Sequence, residues 1–181
     1  LKVLEGENEE TISKQLTLFQ ERALPDLGEN IKCGNSLIGW DILEDNPGLG
    51  QEEIERINPF DWEREFAEVF RRGGFDVVIG NPPYVKLHKI DKLSLPYFFN
   101  KYETAEKKCD LYAFFIERVL KLLLVDNGAL GYIVSNTWLN LDSFTNLRSI
   151  IIRNRLMSLI TVDNPFSKVT VAPIILFVKR G

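Results

Sequence analysis

The stretch Phe75-Asp76-Val77-Val78-Ile79-Gly80-Asn81-Pro82-Pro83-Tyr84 decides how this chain is read, because a short apolar strand signal runs directly into Asn-Pro-Pro-Tyr. β-branched Val77, Val78 and Ile79 favour a strand. Each proline lacks a backbone N–H and fixes its φ near about −65°. Asn81 and Pro82, each preceding a proline, are pushed out of the helical region. The loop is therefore stiff, and it sits at the carboxyl end of a strand, where open α/β sheets bind ligands. Such a loop can aim the Asn81 side-chain carbonyl and the Pro82 backbone carbonyl at one point, with the Tyr84 ring as a flat wall beside it. Two acceptors and a ring suit an amino group on a planar base. That amine is a poor nucleophile because its lone pair is delocalised into the ring, and acceptors on its hydrogens favour the pyramidal, more reactive form. Asn-Pro is also a common turn starter. The strand in front and the tyrosine behind raise this example above a plain turn.

The loop resembles the signature (N/D/S)-P-P-(Y/F/W) of the DNA N6-adenine methyltransferases, and its neighbours extend the likeness to the methylase portion of fused, type IIG-like restriction-modification enzymes. The blocks are Ile31-Lys32-Cys33-Gly34-Asn35-Ser36-Leu37-Ile38-Gly39 before the loop, then Asp110-Leu111-Tyr112-Ala113-Phe114-Phe115, Gly131-Tyr132-Ile133-Val134-Ser135-Asn136-Thr137-Trp138-Leu139 and Pro165-Phe166-Ser167-Lys168-Val169-Thr170. The resemblance implies S-adenosylmethionine as methyl donor and a flipped-out adenine in double-stranded DNA as acceptor. It places Asn81, Pro82 and Tyr84 in the catalytic loop and Phe166 opposite Tyr84 on the other face of the base. Asn35, Asn81, Asp110 and Leu111 are its candidate cofactor contacts, and Asn136 and Trp138 its candidate pocket wall. As a turn former, a helix cap and a core ring, Asn35, Asp110 and Phe166 also have ordinary structural readings.

One departure from the family stands out. The glycine-rich loop that cradles S-adenosylmethionine is not visible: Gly48-Leu49-Gly50 follows Glu44-Asp45-Asn46-Pro47 rather than an apolar strand and reads as a surface turn. The expectation is a fragment with an incomplete cofactor site, inactive alone, whose partners are the missing cofactor half and a target-recognition domain of a parent chain. Two rivals stay open. Related loops methylate other planar amines or amides, such as protein glutamine or RNA guanine N2, and a non-catalytic scaffold could keep the loop without the cofactor.

On the amino-terminal side of the loop, Asn8–Ala23 reads as a helix stopped by Pro25, Ile31–Cys33 as a short strand, and Asp41–Gln51 as an acidic loop. Asp61 is placed to cap a helix over 62–72 that ends at Gly73-Gly74. Residues 85–109 read as an insertion or cover broken by Pro96, and 110–125 as a buried helix ended by Asn127-Gly128. A strand over Leu130–Ser135, a helix over 142–155 and strands at Leu159–Val162 and Ile174–Val178 complete the pattern. The predicted class is α/β: the later part of a Rossmann-like methyltransferase sheet, mainly parallel, with helices on both faces. The expected division is a helical segment, 1–30, and a partial catalytic domain, 31–181.

The net charge of −4 conceals an asymmetry: residues 1–72 carry 17 acids against 8 bases, and residues 73–181 carry 9 against 14. The basic part begins at the catalytic loop. Lys86, Lys89 and Lys92 come soon after it, and these with Lys168 are the candidate DNA contacts, while Tyr97, Phe98, Phe99 and Tyr102 read equally as stacking platforms or core. His88 reads as a solvated loop residue. Cys33 and Cys109 lack metal-ligand or disulfide spacing, so no metal is expected. With neither a span of apolar residues nor a secretory signal, the expected compartment is the cytoplasm, with no membrane partner.

Overall fold

The computed structural model describes residues 27–106, 108–162 and 172–181. The helix expected at 8–23, together with Phe166 and Lys168, lies outside the described residues. The chain divides into two units, Leu1–Cys33 and Gly34–Gly181. In the first, Leu27 O accepts from the N–H groups of Asn30 (2.9 Å) and Ile31 (2.8 Å), a single turn. Ile31–Cys33 is not a strand: nothing among the described residues pairs with it in a ladder.

The second unit begins with four short helices: α1 (Ile42–Asp45), α2 (Gln51–Ile57), α3 (Trp62–Glu65) and α4 (Ala67–Arg71). The acidic stretch expected as loop thus holds α1 and the start of α2, where the Glu53 carboxylate accepts the Gly50 N–H at 2.9 Å. Asp61 caps α3, accepting from the Arg64 N–H at 3.1 Å. The single helix expected over 62–72 breaks at Phe66, whose φ of −123° is non-helical. That turn lets the Phe66 ring stack on Trp62 (5.7 Å) and meet Phe75 edge-on (5.4 Å).

Strand β1 (Phe75–Gly80) comes directly after Gly73-Gly74, both at positive φ (99° and 128°). A Cβ at Gly74 would lie 2.5 Å from the Leu123 carbonyl oxygen, so this close approach requires glycine. The cover segment contains a one-turn helix (Leu87–Lys89) and α5 (Leu95–Lys101). Pro96 sits in the first turn of α5, where its missing N–H costs nothing, and starts the helix rather than breaking it. Tyr97, Phe98 and Tyr102 are buried in the core, so three of the four candidate stacking platforms hold the cover down instead. Tyr97 OH donates to Asp41 (2.8 Å), and Tyr102 OH donates to the Leu37 carbonyl (2.6 Å).

Helix α6 (Leu111–Arg118) continues into a π-helical turn over Val119–Leu123, and β2 (Leu124–Ser135) starts at once. Asn127-Gly128, expected to end the helix, lie within β2; Asn127 has φ +64°, and the β1–β2 register shifts nearby. Two 3-10 turns (Asn136–Leu139 and Asp142–Phe144) lead into α7 (Thr145–Arg153), then β3 (Arg155–Thr161) and β4 (Pro173–Lys179).

The sheet order is β1-β2-β4-β3, with β1 parallel to β2 and the β2–β4 and β3–β4 pairs antiparallel. The α/β class holds, but among the described residues the sheet has four strands and is not mainly parallel. A parallel neighbour needs a long crossover, and only residues 162–172 join β3 to β4, so β4 returns antiparallel. Nor are both faces covered among the described residues. Leu130, Tyr132, Val134, Leu176 and Val178 are buried on one face, whereas Val77, Ile79, Ile160 and Phe177 on the other are 59%, 79%, 45% and 39% exposed.

Candidate functional site

At the carboxyl ends of β1 and β2 the chain turns out of the sheet. Asn81 is exposed and its side chain makes no hydrogen bond among the described residues, Pro82 is buried, and the Pro82 carbonyl accepts no backbone N–H among them. Tyr84 is half-buried and meets Tyr112 edge-to-face, with ring centroids 6.1 Å apart. Its hydroxyl is buried without a partner, and desolvation raises its pKa.

The segment immediately after Tyr84 anchors the loop. Leu111 N–H donates to Val85 O (2.8 Å), Leu87 N–H donates to Cys109 O (3.0 Å), and the Lys86 ammonium donates to the Asp110 carboxylate (2.9 Å). The Asn-Pro-Pro-Tyr loop is thereby stitched to the first turn of α6. Behind it, Tyr112 stacks face-to-face on Phe144 (5.5 Å, 7° between planes), forming an aromatic column Tyr84–Tyr112–Phe144. Tyr112 OH shares a 3.1 Å hydrogen bond with Thr137, which is 2.9 Å from Ser135 Oγ, at the end of β2. Burial raises the Tyr112 pKa, so the phenol stays neutral, and it pushes the Cys109 thiol up to about 11, so that buried sulfur is inert.

The expected site residues therefore fall into three groups. Asn81, Pro82, Tyr84, Lys86, Asp110 and Leu111 come together around the stitched loop. Asp110 stands at the N-cap position of α6, but its buried carboxylate pairs with Lys86 rather than capping backbone N–H groups. Lys86, expected at DNA, is likewise engaged, while Lys89 and Lys92 are exposed. Asn35 sits apart on a turn, its Oδ1 accepting Leu37 N–H (3.1 Å) and its own N–H donating to Asn58 O (2.7 Å). Trp138 is buried at 3% exposure, so it packs beneath the surface instead of forming a pocket wall.

Beside the column lies a cleft of about 550 Å³ lined by Lys86, His88, Lys108, Leu141, Asp142 and Ser143. The sequence marks His88 only as a solvated loop residue; the pairing of 86–87 with 109–110 is what brings it together with Lys108.

The free acceptors at 81 and 82 suit an N–H donor. A cofactor cradle is another matter. Gly48 and Gly50 lie on an open turn where an added Cβ at Gly48 would meet nothing, so they form no phosphate- or ribose-gripping loop. Among the described residues no cluster of His, Cys, Asp and Glu could hold a metal, and no helix is long and apolar enough to cross a membrane.

A strand that opens onto Asn-Pro-Pro-Tyr beside a parallel neighbour is the layout of a methylase-type α/β domain. Residues 8–166 match the Eco57I restriction-modification methylase family, and the chain belongs to that family. It is 37% identical over 161 residues, 87% of its length, to the type II restriction enzyme and methyltransferase RM.Eco57I of Escherichia coli, of which it spans 14%. It is 30% identical over 114 residues, 59% of its length, to the type II methyltransferase M.TthHB8I of Thermus thermophilus, spanning 26% of that protein. The crystal structure of the type I restriction enzyme EcoKI M protein aligns over 98% of this chain and 34% of that one, at 15% identity and a TM-score of 0.47.

Proposed function

We propose that this chain forms the amine-facing part of a DNA adenine-N6 methyltransferase of a restriction-modification system. The observation that carries the reading is the unshared pair of acceptors, the Asn81 carboxamide and the Pro82 carbonyl, held at the end of β1 beside the Tyr84 ring. S-adenosylmethionine, when bound, supplies a methyl group on a sulfonium centre. The residues of this chain act on the nucleophile. Asn81 and Pro82 accept the two hydrogens of the exocyclic amine, localise its lone pair and direct it away from the loop. Tyr84 stacks on the base. Because a base-paired amine is inaccessible, the target nucleotide leaves the duplex, at a cost of a few kcal/mol, and stacking worth roughly 1–3 kcal/mol per base offsets part of it. Asp110 and Leu111 act as positioning residues, holding the loop through Lys86 and Val85. Phe166 is proposed as the second stacking face, and Asn35 as a contact to the cofactor through its remaining amide N–H groups.

The test is incubation of the full-length protein with S-adenosylmethionine and duplex DNA, with mass analysis of the nucleosides. The expected product is N6-methyladenine. Methylation confined to RNA or protein glutamine, or none at all, would overturn the assignment.

A further inference from the structure

We infer that the cleft between Lys86, His88, Lys108 and the Leu141–Ser143 turn is a phosphodiester clamp that grips the backbone flanking the extruded nucleotide; this rests on the DNA reading above. Three observations carry it. First, the position is set by the aromatic column: Lys86 lies two residues beyond Tyr84, and Ser143 immediately precedes Phe144, so the two walls of the cleft continue from the two ends of the column. The cleft therefore adjoins the ring proposed to carry the extruded base.

Second, the donors are available. His88 and Lys108 are exposed, and neither side chain makes a hydrogen bond or ion pair among the described residues. His88 offers an N–H in either protonation state, Lys108 is a point charge, and Lys86 is fixed in place by Asp110 while remaining 41% exposed. The single carboxylate in the lining, Asp142, is exposed, where water and salt screen it. Third, the size and floor suit a sugar-phosphate. The volume of about 550 Å³ exceeds what one phosphate needs, and Leu141, 46% exposed, provides an apolar patch for a deoxyribose.

A phosphate clamp positions without reading sequence, so its loss should weaken all duplexes alike and reduce the salt dependence. The experiment measures Kd by fluorescence anisotropy against salt concentration, using the full-length protein on duplexes carrying the target adenine. Lys108→Ala should make the slope of log Kd on log salt shallower by about 0.9, the value for one phosphate contact. Lys108→Arg should retain the wild-type slope and serves as the folding control. A neutral methylphosphonate placed at each phosphate around the target should weaken wild-type binding at one or two positions, and at those positions Lys108→Ala should add no further loss. His88→Ala should weaken binding at the same positions. An unchanged slope for Lys108→Ala, or a loss that is additive with every methylphosphonate, overturns the clamp. Methylated-nucleoside analysis on the same samples separates the two readings. Methylation with an unchanged slope removes the clamp alone, whereas the expected slope change without a methylated base removes the methyltransferase assignment alone. Absence of DNA binding by the wild type removes both.

Discussion

Two buried carboxylates stand at opposite ends of one helix, and they are finished differently. Glu117, near the carboxyl end of α6, accepts from Glu103 N–H (3.0 Å), Thr104 N–H (2.9 Å), Thr104 Oγ (2.7 Å) and Lys121 Nζ (2.8 Å). Glu103 in turn pairs with Lys121 and Arg153, whose hydrogen bonds hold its pKa below the usual range. Asp110, at the amino end, has one side-chain partner, Lys86. The loop that leads into Lys86 carries the Asn81 carboxamide and the Pro82 carbonyl, both without protein partners among the described residues. Glu117 is saturated because an unsatisfied carboxylate there would simply cost stability. At the other end the Asn81 and Pro82 acceptors are left open, as the proposed amine-binding role requires.

Glu117→Ala puts this contrast under the heaviest load. It strands the Thr104 N–H and hydroxyl in the interior, removes the acceptor of the half-buried Glu103 N–H, and should cost about 3–5 kcal/mol in urea unfolding. An unchanged midpoint would show that the network is not what ties the cover to α6. At the open end, Asn81→Ala should leave the unfolding midpoint in place, since the Asn81 side chain bonds nothing among the described residues, and lower kcat by about 10²–10³. Equal rates in single-turnover methylation would remove Asn81 from the chemistry.

Tyr84→Ala should lose roughly 1–3 kcal/mol of stabilisation of the extruded base. 2-Aminopurine fluorescence at the target position reads that loss, and a mismatch opposite the target should recover part of it, because that base is already partly unstacked. Asp110→Asn should cost no more than about 1 kcal/mol, since Lys86 can turn to solvent; a loss as large as that of Glu117→Ala would erase the distinction between the two ends.

A pH dependence at Asp41 should be the weakest signal. Burial raises its pKa, but hydrogen bonds from Lys101 and Tyr97 outweigh this and hold it below the usual carboxylate range. A depressed folded pKa stabilises above the unfolded value and is lost as pH falls through the folded one. Asp41→Asn should therefore flatten the acid limb of the stability profile below about pH 4, by less than about 1 kcal/mol for a pair this exposed. A steeper acid limb would reverse the assigned sign.

The stiff Asn-Pro-Pro-Tyr turn was legible in the sequence because proline and asparagine act on their own backbone, and β1 because its run is short, apolar and β-branched. Features that depend on distant partners were not. Nothing in the run around Glu117 announces its partners, and only the fold brings residues 103 and 104 to it. The aromatic run Tyr97 to Tyr102 fitted a stacking surface as well as a core, because burial is decided by Leu37, Gly39 and Asp41 far upstream. Strand direction failed for the same reason: periodicity identifies β4, but its pairing with β2 and β3 sets its sense.

Position 84 also leaves thermodynamic headroom. The Tyr84 hydroxyl has been stripped of water and given no acceptor in return, so the fold bears a penalty of about 1–3 kcal/mol for an atom that packing does not use. Tyr84→Phe keeps the ring against Tyr112 and deletes that atom, and should raise Tm while preserving the stack. The exchange would thus separate two properties that usually trade against each other, a sturdier scaffold and an intact recognition face.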